Sequence, residues 1–325
     1  MIWLAWRQHR KQALAGLAGL AVLAAILIPT GLQMYGALDS TGLAACLRKL
    51  GTSEFVPFLP GESCDGASDR FNNAYGSRAT FAPLLAFLPL LAGMFWGAPL
   101  VAREVEHGTH RLVWTQGVTR LRWTVVKFGA VIGGAVIFAS GYALLASWWM
   151  APLSRASRGP GSGRFEYLMF DVQGVAPVGY TVFAVALGVF AGTLTRKVLP
   201  AMALTFAAFL GARVAIAVLA RPNFQPPLER KFPVATDSIP NPTTGDWIMT
   251  DGIYDAKGNL IAANTIGLCH VDEADDCGGL DRFNVWTYHP GGRFWLFQYL
   301  ETGLFAVLAA VLLYLAWHNI RRRIS

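Results

Sequence analysis

Six stretches of the chain are long, apolar and almost free of charge, and short polar or basic pieces separate them. Cutting at the charged residues gives Gln12–Leu32, Thr80–Ala102, Phe128–Met150, Val172–Thr195, Val198–Ala220 and Phe294–Trp317. A helix rises 1.5 Å per residue, so about 20 apolar residues cross the hydrocarbon core of a bilayer. Each stretch is long enough. None alternates polar and apolar positions with the period of two that an outer-membrane strand needs. Arg213 alone interrupts the fifth stretch, and Glu301 alone the sixth. The pattern predicts an all-α polytopic membrane protein with six transmembrane helices.

The first apolar run is longer than the core of a secretion signal, and no small-x-small site follows closely, so it reads as a retained span. Residues 1–12 place Trp3, Leu4 and Trp6 among Arg7, His9, Arg10 and Lys11. That mixture predicts a short interfacial helix, aromatics toward lipid and bases toward water; the plainer alternative is a basic flank of the first span. Residues 13–220 then hold spans one to five, with an outer loop at 36–79 and a linker at 103–126. Residues 221–293 form an extracellular cap loop, and 294–325 the sixth span and a basic tail.

Composition supports a membrane chain. Of 325 residues, 54% are hydrophobic and only 14% charged, against about 25% charged in soluble domains. The net charge of +7 first suggests nucleic acid, but the bases fall where a topology signal belongs. With both termini in the cytoplasm, that side holds Arg7, Arg10, Lys11, Arg103, Arg111, Arg120, Arg122, Lys127, Arg196, Lys197 and Arg321–Arg323 in short pieces. Density of bases in short loops marks the inner face, while long loops translocate regardless of charge. The short loop bearing Arg155, Arg158 and Arg164 runs against the rule. The expected location is a bacterial plasma membrane, with no nucleic-acid partner.

The four cysteines, Cys46, Cys64, Cys269 and Cys277, all fall in the outer loops under this topology, where disulfides persist. Short loops close at lower entropic cost, so the pairs expected are Cys46–Cys64 and Cys269–Cys277. No metal site is expected. Cys269-His270 lacks paired-ligand spacing, His107 and His110 flank Gly108, and the run Asp272, Glu273, Asp275, Asp276 reads as a solvated turn rather than a calcium loop. In the cap, prolines at 222, 226, 227, 233, 240 and 242 precede short strands and turns, with a hairpin turn at Asp255–Asn259.

The segment joining the second and third spans carries the most information. Gly108 suits the end of one helix, and Thr109 is a candidate N-cap for the next. Leu112, Val113 and Trp114 give that short helix an apolar face, Gly117 ends it, and Thr119 can cap the third span. A one- to two-turn helix lying on the membrane surface results, suited either to docking a cytosolic partner or to a plain interfacial turn.

Here the chain resembles the permease subunits of type-2 (type V exporter) ABC transporters, which include bacterial drug and bacitracin exporters. The resemblance rests on the six spans and the basic aromatic N-terminus. It rests also on Arg103-Glu104-x-Glu106-x-Gly108-Thr109 followed by Gly117-Val118-Thr119-Arg120, and on Arg293-Phe294-Trp295-x-Phe297-Gln298-x-x-Glu301-Thr302-Gly303. Gly117 stands where Pro is frequent, and the large cysteine-bearing loop departs from the smallest members. The resemblance implies a coupling helix, with Glu104, Glu106, Gly108, Thr109, Arg111, Leu112, Trp114 and Gly117 engaging a separate ATPase. It implies a working unit of two permeases, homodimeric or heterodimeric, and two ATPases that bind ATP and Mg. The cargo would be a hydrophobic or amphipathic drug, peptide or lipid moving outward. No GxxxxGK[S/T] phosphate cradle occurs in the sequence, which fits a separate motor.

Arg213 and Glu301 lie at matching depths in their spans. A charge at depth costs at least about 2.5 kcal/mol, so it pairs, faces water or snorkels; a pair is expected, with a role in the substrate path as the functional alternative. Pro83, Pro89 and Pro99 should bend the second span. Gly188-x-x-x-Gly192 reflects either close helix packing or plain small-residue composition. Trp148, Trp149, Trp295 and Trp317 suit an aromatic belt. Two other classes of function compete: a membrane-embedded enzyme, for which Arg213 and Glu301 make a poor catalytic set, and a membrane-anchored ligand sensor, which leaves the linker motif without a role.

Overall fold

A computed structural model describes residues 2–51, 54–57, 64–108, 119–157, 163–241, 244–269 and 281–323. Among the described residues, six helical segments are long and apolar enough to cross a membrane: Gln12–Ser40, Asp65–Glu106, Leu121–Ala156, Ala176–Thr195, Val198–Asn223 and Gly291–Arg322. The chain is a mostly helical, multi-pass membrane protein.

Helix α1 (Ile2–Ser40) is unbroken, so the basic N-terminal segment and the first span share one helix. The polar stretch after it is largely helical too, in α2 (Leu43–Leu50) and α3 (Asp65–Tyr75). Leu43, Leu47 and Leu50 recur at helical spacing and pack with Ala67 and Phe71 of α3 in one apolar cluster. The Cys46–Cys64 disulfide joins the two helices, with Cα atoms 5.7 Å apart.

The second span is broken into a 3₁₀ turn (Gly76–Phe81), α4 (Ala82–Ala86), α5 (Leu88–Ala92), a π-turn (Gly93–Gly97) and α6 (Ala98–Glu106). Pro83, Pro89 and Pro99 stand at the starts of α4, α5 and α6, so the expected bends are present. Proline supplies no N–H to the carbonyl four residues earlier. Pro89 thus frees Leu85 C=O, and Tyr142 of α7 (Arg120–Ala156) donates its hydroxyl to it at 2.8 Å. Pro152, inside α7, frees Trp148 C=O, and Tyr35 of α1 donates to that oxygen at 3.1 Å. Two tyrosines therefore satisfy carbonyls that two prolines release in neighbouring spans. Tyr142→Phe should destabilise the bundle by about 1 kcal/mol, the scale of interhelical hydrogen bonds in membranes, measured as a lower unfolding midpoint in detergent.

After α8 (Tyr167–Val172) come α9 (Ala176–Thr195) and α10 (Val198–Ala215), and the chain ends in α11 (Phe294–Arg323). Buried residues make up 72% of the apolar window of the fourth span and 6% of that of the first. The fourth span is therefore the centre of the bundle and the first lies on its rim. Gly188 and Gly192 set the central packing. A Cβ on Gly188 would overlap Gly93 C=O and stand 2.6 Å from Ala98 N; one on Gly192 would stand 2.8 Å from Ala98 C=O. The small residues are there because backbone meets backbone.

All-α describes the bundle but not the cap. Strands β2 (Leu228–Pro233), β4 (Trp247–Asp255), β5 (Leu260–Ala263) and β6 (Arg282–His289) form an antiparallel sheet in the order β2-β6-β4-β5, and β1 (Phe55–Pro57) pairs with β3 (Ser238–Pro240). The hairpin turn at 255–259 forms as expected. The Asn259 side-chain amide donates to Asp255 Oδ2 at 2.9 Å, and Asp255 Oδ1 accepts from the backbone N–H of Asn259 at 2.8 Å and of Lys257 at 2.9 Å; these bonds, the Asn259 side chain's first, hold the carboxyl below its ordinary pKa.

The expectation of an aromatic belt needs one correction. Trp149 is buried against α1, its indole N–H donating to Thr30 Oγ1 at 2.9 Å. Trp148 stacks on Tyr35 with ring centroids 5.4 Å apart. These two rings hold helix to helix, whereas Trp295 is half exposed.

Candidate functional site

Two charged constellations stand at opposite ends of the bundle. The first lies beneath the sheet. Arg221 Nε is 2.7 Å from Glu301 Oε2, and its Nη2 is 2.9 Å from Glu301 Oε1 and 2.7 Å from Asp171 Oδ1. Arg213 Nη1 reaches Glu301 Oε1 at 3.1 Å, and its Nη2 pairs with Asp171 Oδ2. Tyr180 donates its hydroxyl to Glu301 Oε1 at 2.7 Å. The Arg213 guanidinium covers the Tyr180 ring at 3.5 Å, and that of Arg221 the Phe170 ring at 4.1 Å. The Arg221 and Glu301 side chains have no solvent exposure at all. Two guanidiniums thus face two carboxylates, and formal charge balances inside the protein. Buried charges persist where they are paired and hydrogen-bonded in this way.

Local geometry explains how one helix delivers both arginines. Two ordinary turns take about 7 residues, yet Arg213 and Arg221 are eight apart. The π-turn at Ile216–Ala220 takes up one extra residue, so the two side chains return to one face. The structure brings Arg213 and Glu301 together, as two members of a five-residue cluster. Arg221 was read from the sequence as the first residue of the cap, and Asp171 only as the boundary of an apolar stretch. They sit on different elements, so no helical spacing in the sequence links them, and only the packed bundle brings them together.

The cluster is roofed by aromatic rings that join the sheet to the bundle. Phe165 stacks on Trp247 at 5.7 Å and meets Phe297 edge-on at 5.4 Å. His289, at the end of β6, is fully buried and lies 4.9 Å from the Phe297 ring. Pro222 C=O can only accept, so His289 Nε2–H donates to it at 3.1 Å; Arg293 can only donate, so His289 Nδ1 accepts from its Nη1 at 3.3 Å. This arrangement suits the neutral ring. Desolvation, then the charge of Arg293, lower the pKa of His289 below its ordinary 6.5. As pH falls below about 6.5, the unfolded chain protonates first. Stability from this joint is therefore full above that pH and declines below it. The unfolding midpoint should fall between pH 7 and 5, and His289→Gln should flatten that slope.

Beside the joint, Arg230 of β2 bridges Glu54 at 2.9 Å and Asp246 at 3.0 Å, tying the β1–β3 ribbon to the sheet. Cys269 is disulfide-bonded; its expected partner Cys277 lies outside the described residues.

The second constellation is at the root of the linker. Glu104 forms an ion pair with Lys127 of α7, their side chains 18% and 9% exposed, and the ammonium sits 4.8 Å from the Trp123 ring. Glu106 Oε2 accepts the backbone N–H of Val198, the first residue of α10, at 3.1 Å. Gly108, with φ of +69°, ends the helix in a conformation that favours glycine. Thr119 caps α7, its Oγ1 accepting from Arg122 N at 3.3 Å. Thr109, Arg111, Leu112, Trp114 and Gly117 lie outside the described residues, and so does the expected coupling helix. The C-terminal end of α11 is at this same end of the bundle, where Asn319 Nδ2 reaches Thr193 Oγ1 at 3.4 Å. The Cys46–Cys64 bridge and the sheet are at the other.

A family model described as ABC-2 membrane transporter related matches residues 17–221. The match takes in the first five spans and four members of the buried charge cluster, Asp171, Tyr180, Arg213 and Arg221, and stops just before the sheet begins. No curated protein and no solved structure matches the chain.

Proposed function

Because the chain belongs to the ABC-2 membrane transporter related family, we propose that this permease is the membrane-spanning subunit of an ATP-driven exporter, worked by a separate cytosolic ATPase dimer and completed by a second permease copy. The linker, the C-terminus and the bases near them face the cytoplasm in this reading. The sheet and the Cys46–Cys64 bridge face the outside of a bacterial plasma membrane, an oxidising compartment in which a disulfide persists. Residues 109–118 form the docking element. ATP and Mg are held by the partner, and closure of the two ATPases pushes on the linker. The cargo is a hydrophobic or amphipathic compound, which a bundle with so little exposed polarity suits.

The observation that carries this reading is the placement of the linker root. Six apolar segments bring Gly108 and Thr119 to the same end as the C-terminus, opposite the disulfide. A cytosolic ABC ATPase should co-purify with the intact permease and be lost with Gly108→Val combined with Thr109→Ala, the unfolding midpoint being preserved. Retention of the ATPase by that variant would defeat the docking assignment.

A further inference from the structure

The two glutamates of the linker motif each engage a neighbouring span, Glu104 from a half-buried position and Glu106 from an exposed one. Residues two apart on a helix point about 200° from one another. Glu104 and Glu106 accordingly reach opposite neighbours of α6, Lys127 on α7 and the Val198 amide on α10. The spacing acid-x-acid serves to grip two different spans.

Each grip supplies something its target lacks. Lys127 is nearly buried beside Trp123, where an ammonium without a carboxylate would be costly. α10 begins after Lys197 with no side-chain cap of its own, and a carboxylate at a helix N-terminus satisfies a free N–H and suits the helix dipole. A parallel case lies at the other end of the bundle. α9 also lacks a cap of its own, and Gln298 of α11 accepts from Ala176 N at 2.8 Å. Glu104 in addition joins the chain before the linker to the chain after it, closing the base of the loop.

We propose that Glu104 and Glu106 are positioning residues that clamp the linker root to the third and fifth spans, so that a push on residues 109–118 moves spans two, three and five as one body. This rests on the linker being the docking element for the ATPase. Displacement arriving at α6 is then carried sideways by one buried ion pair and one borrowed helix cap. The glutamates transmit force; residues 109–118 receive it.

The test uses the assembled permease–ATPase complex in nanodiscs, trapped with ATP and vanadate, with spin labels on two pairs of introduced cysteines. Leu121→Cys with Leu199→Cys joins the bases of α7 and α10. Leu199→Cys with Leu315→Cys joins α10 to α11. In the wild-type background the nucleotide should shift the second distance and leave the first unchanged. Glu106→Ala should abolish the shift of the second distance and let the first vary. Glu106→Gln, which keeps an acceptor oxygen, should restore the wild-type pattern. Glu104→Lys should have a similar effect on α7, with recovery in the Glu104→Lys, Lys127→Glu double variant. Wild-type shifts in Glu106→Ala and Glu104→Lys would overturn the clamp and leave the docking assignment standing. An assembled wild-type complex with no shift in either pair would overturn both.

Discussion

Glu301→Leu should lower the stability of the folded permease by about 3–5 kcal/mol, the usual consequence of removing one partner from a buried ion pair. Glu301 accepts from Arg221 through both oxygens, and from Arg213 and Tyr180 as well. Its loss leaves two guanidiniums sharing Asp171, one of them wholly shielded from solvent. Arg213→Leu should be milder, because Arg221 continues to bridge both carboxylates. The double variant Glu301→Leu, Arg221→Leu should be more stable than Glu301→Leu alone, since it removes the stranded charge. Reversible unfolding in mixed micelles measures all three. A Glu301→Leu midpoint indistinguishable from wild type would mean that the cluster contributes little.

The second large effect concerns the middle of the bundle. Gly188→Leu should prevent α9 from seating against the π-turn of the second span, and most of the protein should be lost to aggregation on extraction. Even Gly188→Ala would press a methyl group on the backbone at Gly93 and Ala98. Side chains can rotate away from an added atom, but two backbones have to separate along their whole contact. Overpacking typically costs about 1–3 kcal/mol where the surroundings can adjust, and here the opposing atoms are main chain. Gly133→Ala on α7, where nothing lies within 4 Å of the added carbon, is the control and should be nearly neutral. Equal extraction yields for the Gly188 and Gly133 variants would contradict the close approach.

The spans were legible because their signal is additive: some twenty apolar residues without a charge have few alternatives to a membrane helix. Gly108, Thr119 and the three prolines were legible because each constrains its own backbone. The Arg213–Glu301 contact followed from the cost of a lone charge at depth. Arg221 and Asp171 were hidden by their position at the edges of apolar stretches, where a charge needs no explanation. Trp149 looked like an interfacial anchor for a similar reason, since an end of a span and a helix–helix seam call for the same residue. The roles of Glu104 and Glu106 could not be read in advance, because a motif names residue types and leaves open which neighbours they meet.

The irregular turn at Ile216–Ala220 makes the position of the cap a matter of counting. The sheet hangs from Arg221 onward, and Arg221 meets Glu301 only because one surplus residue has been wound into the helix before it. Deleting a single residue from that turn would restore an even spiral and swing the guanidinium by about 100°. Everything beyond it would rotate as well, carrying the sheet off the rings of Phe165 and Phe297. The helix length here acts as a key whose teeth are single residues, so substitutions within 216–220 should be tolerated far better than insertions or deletions.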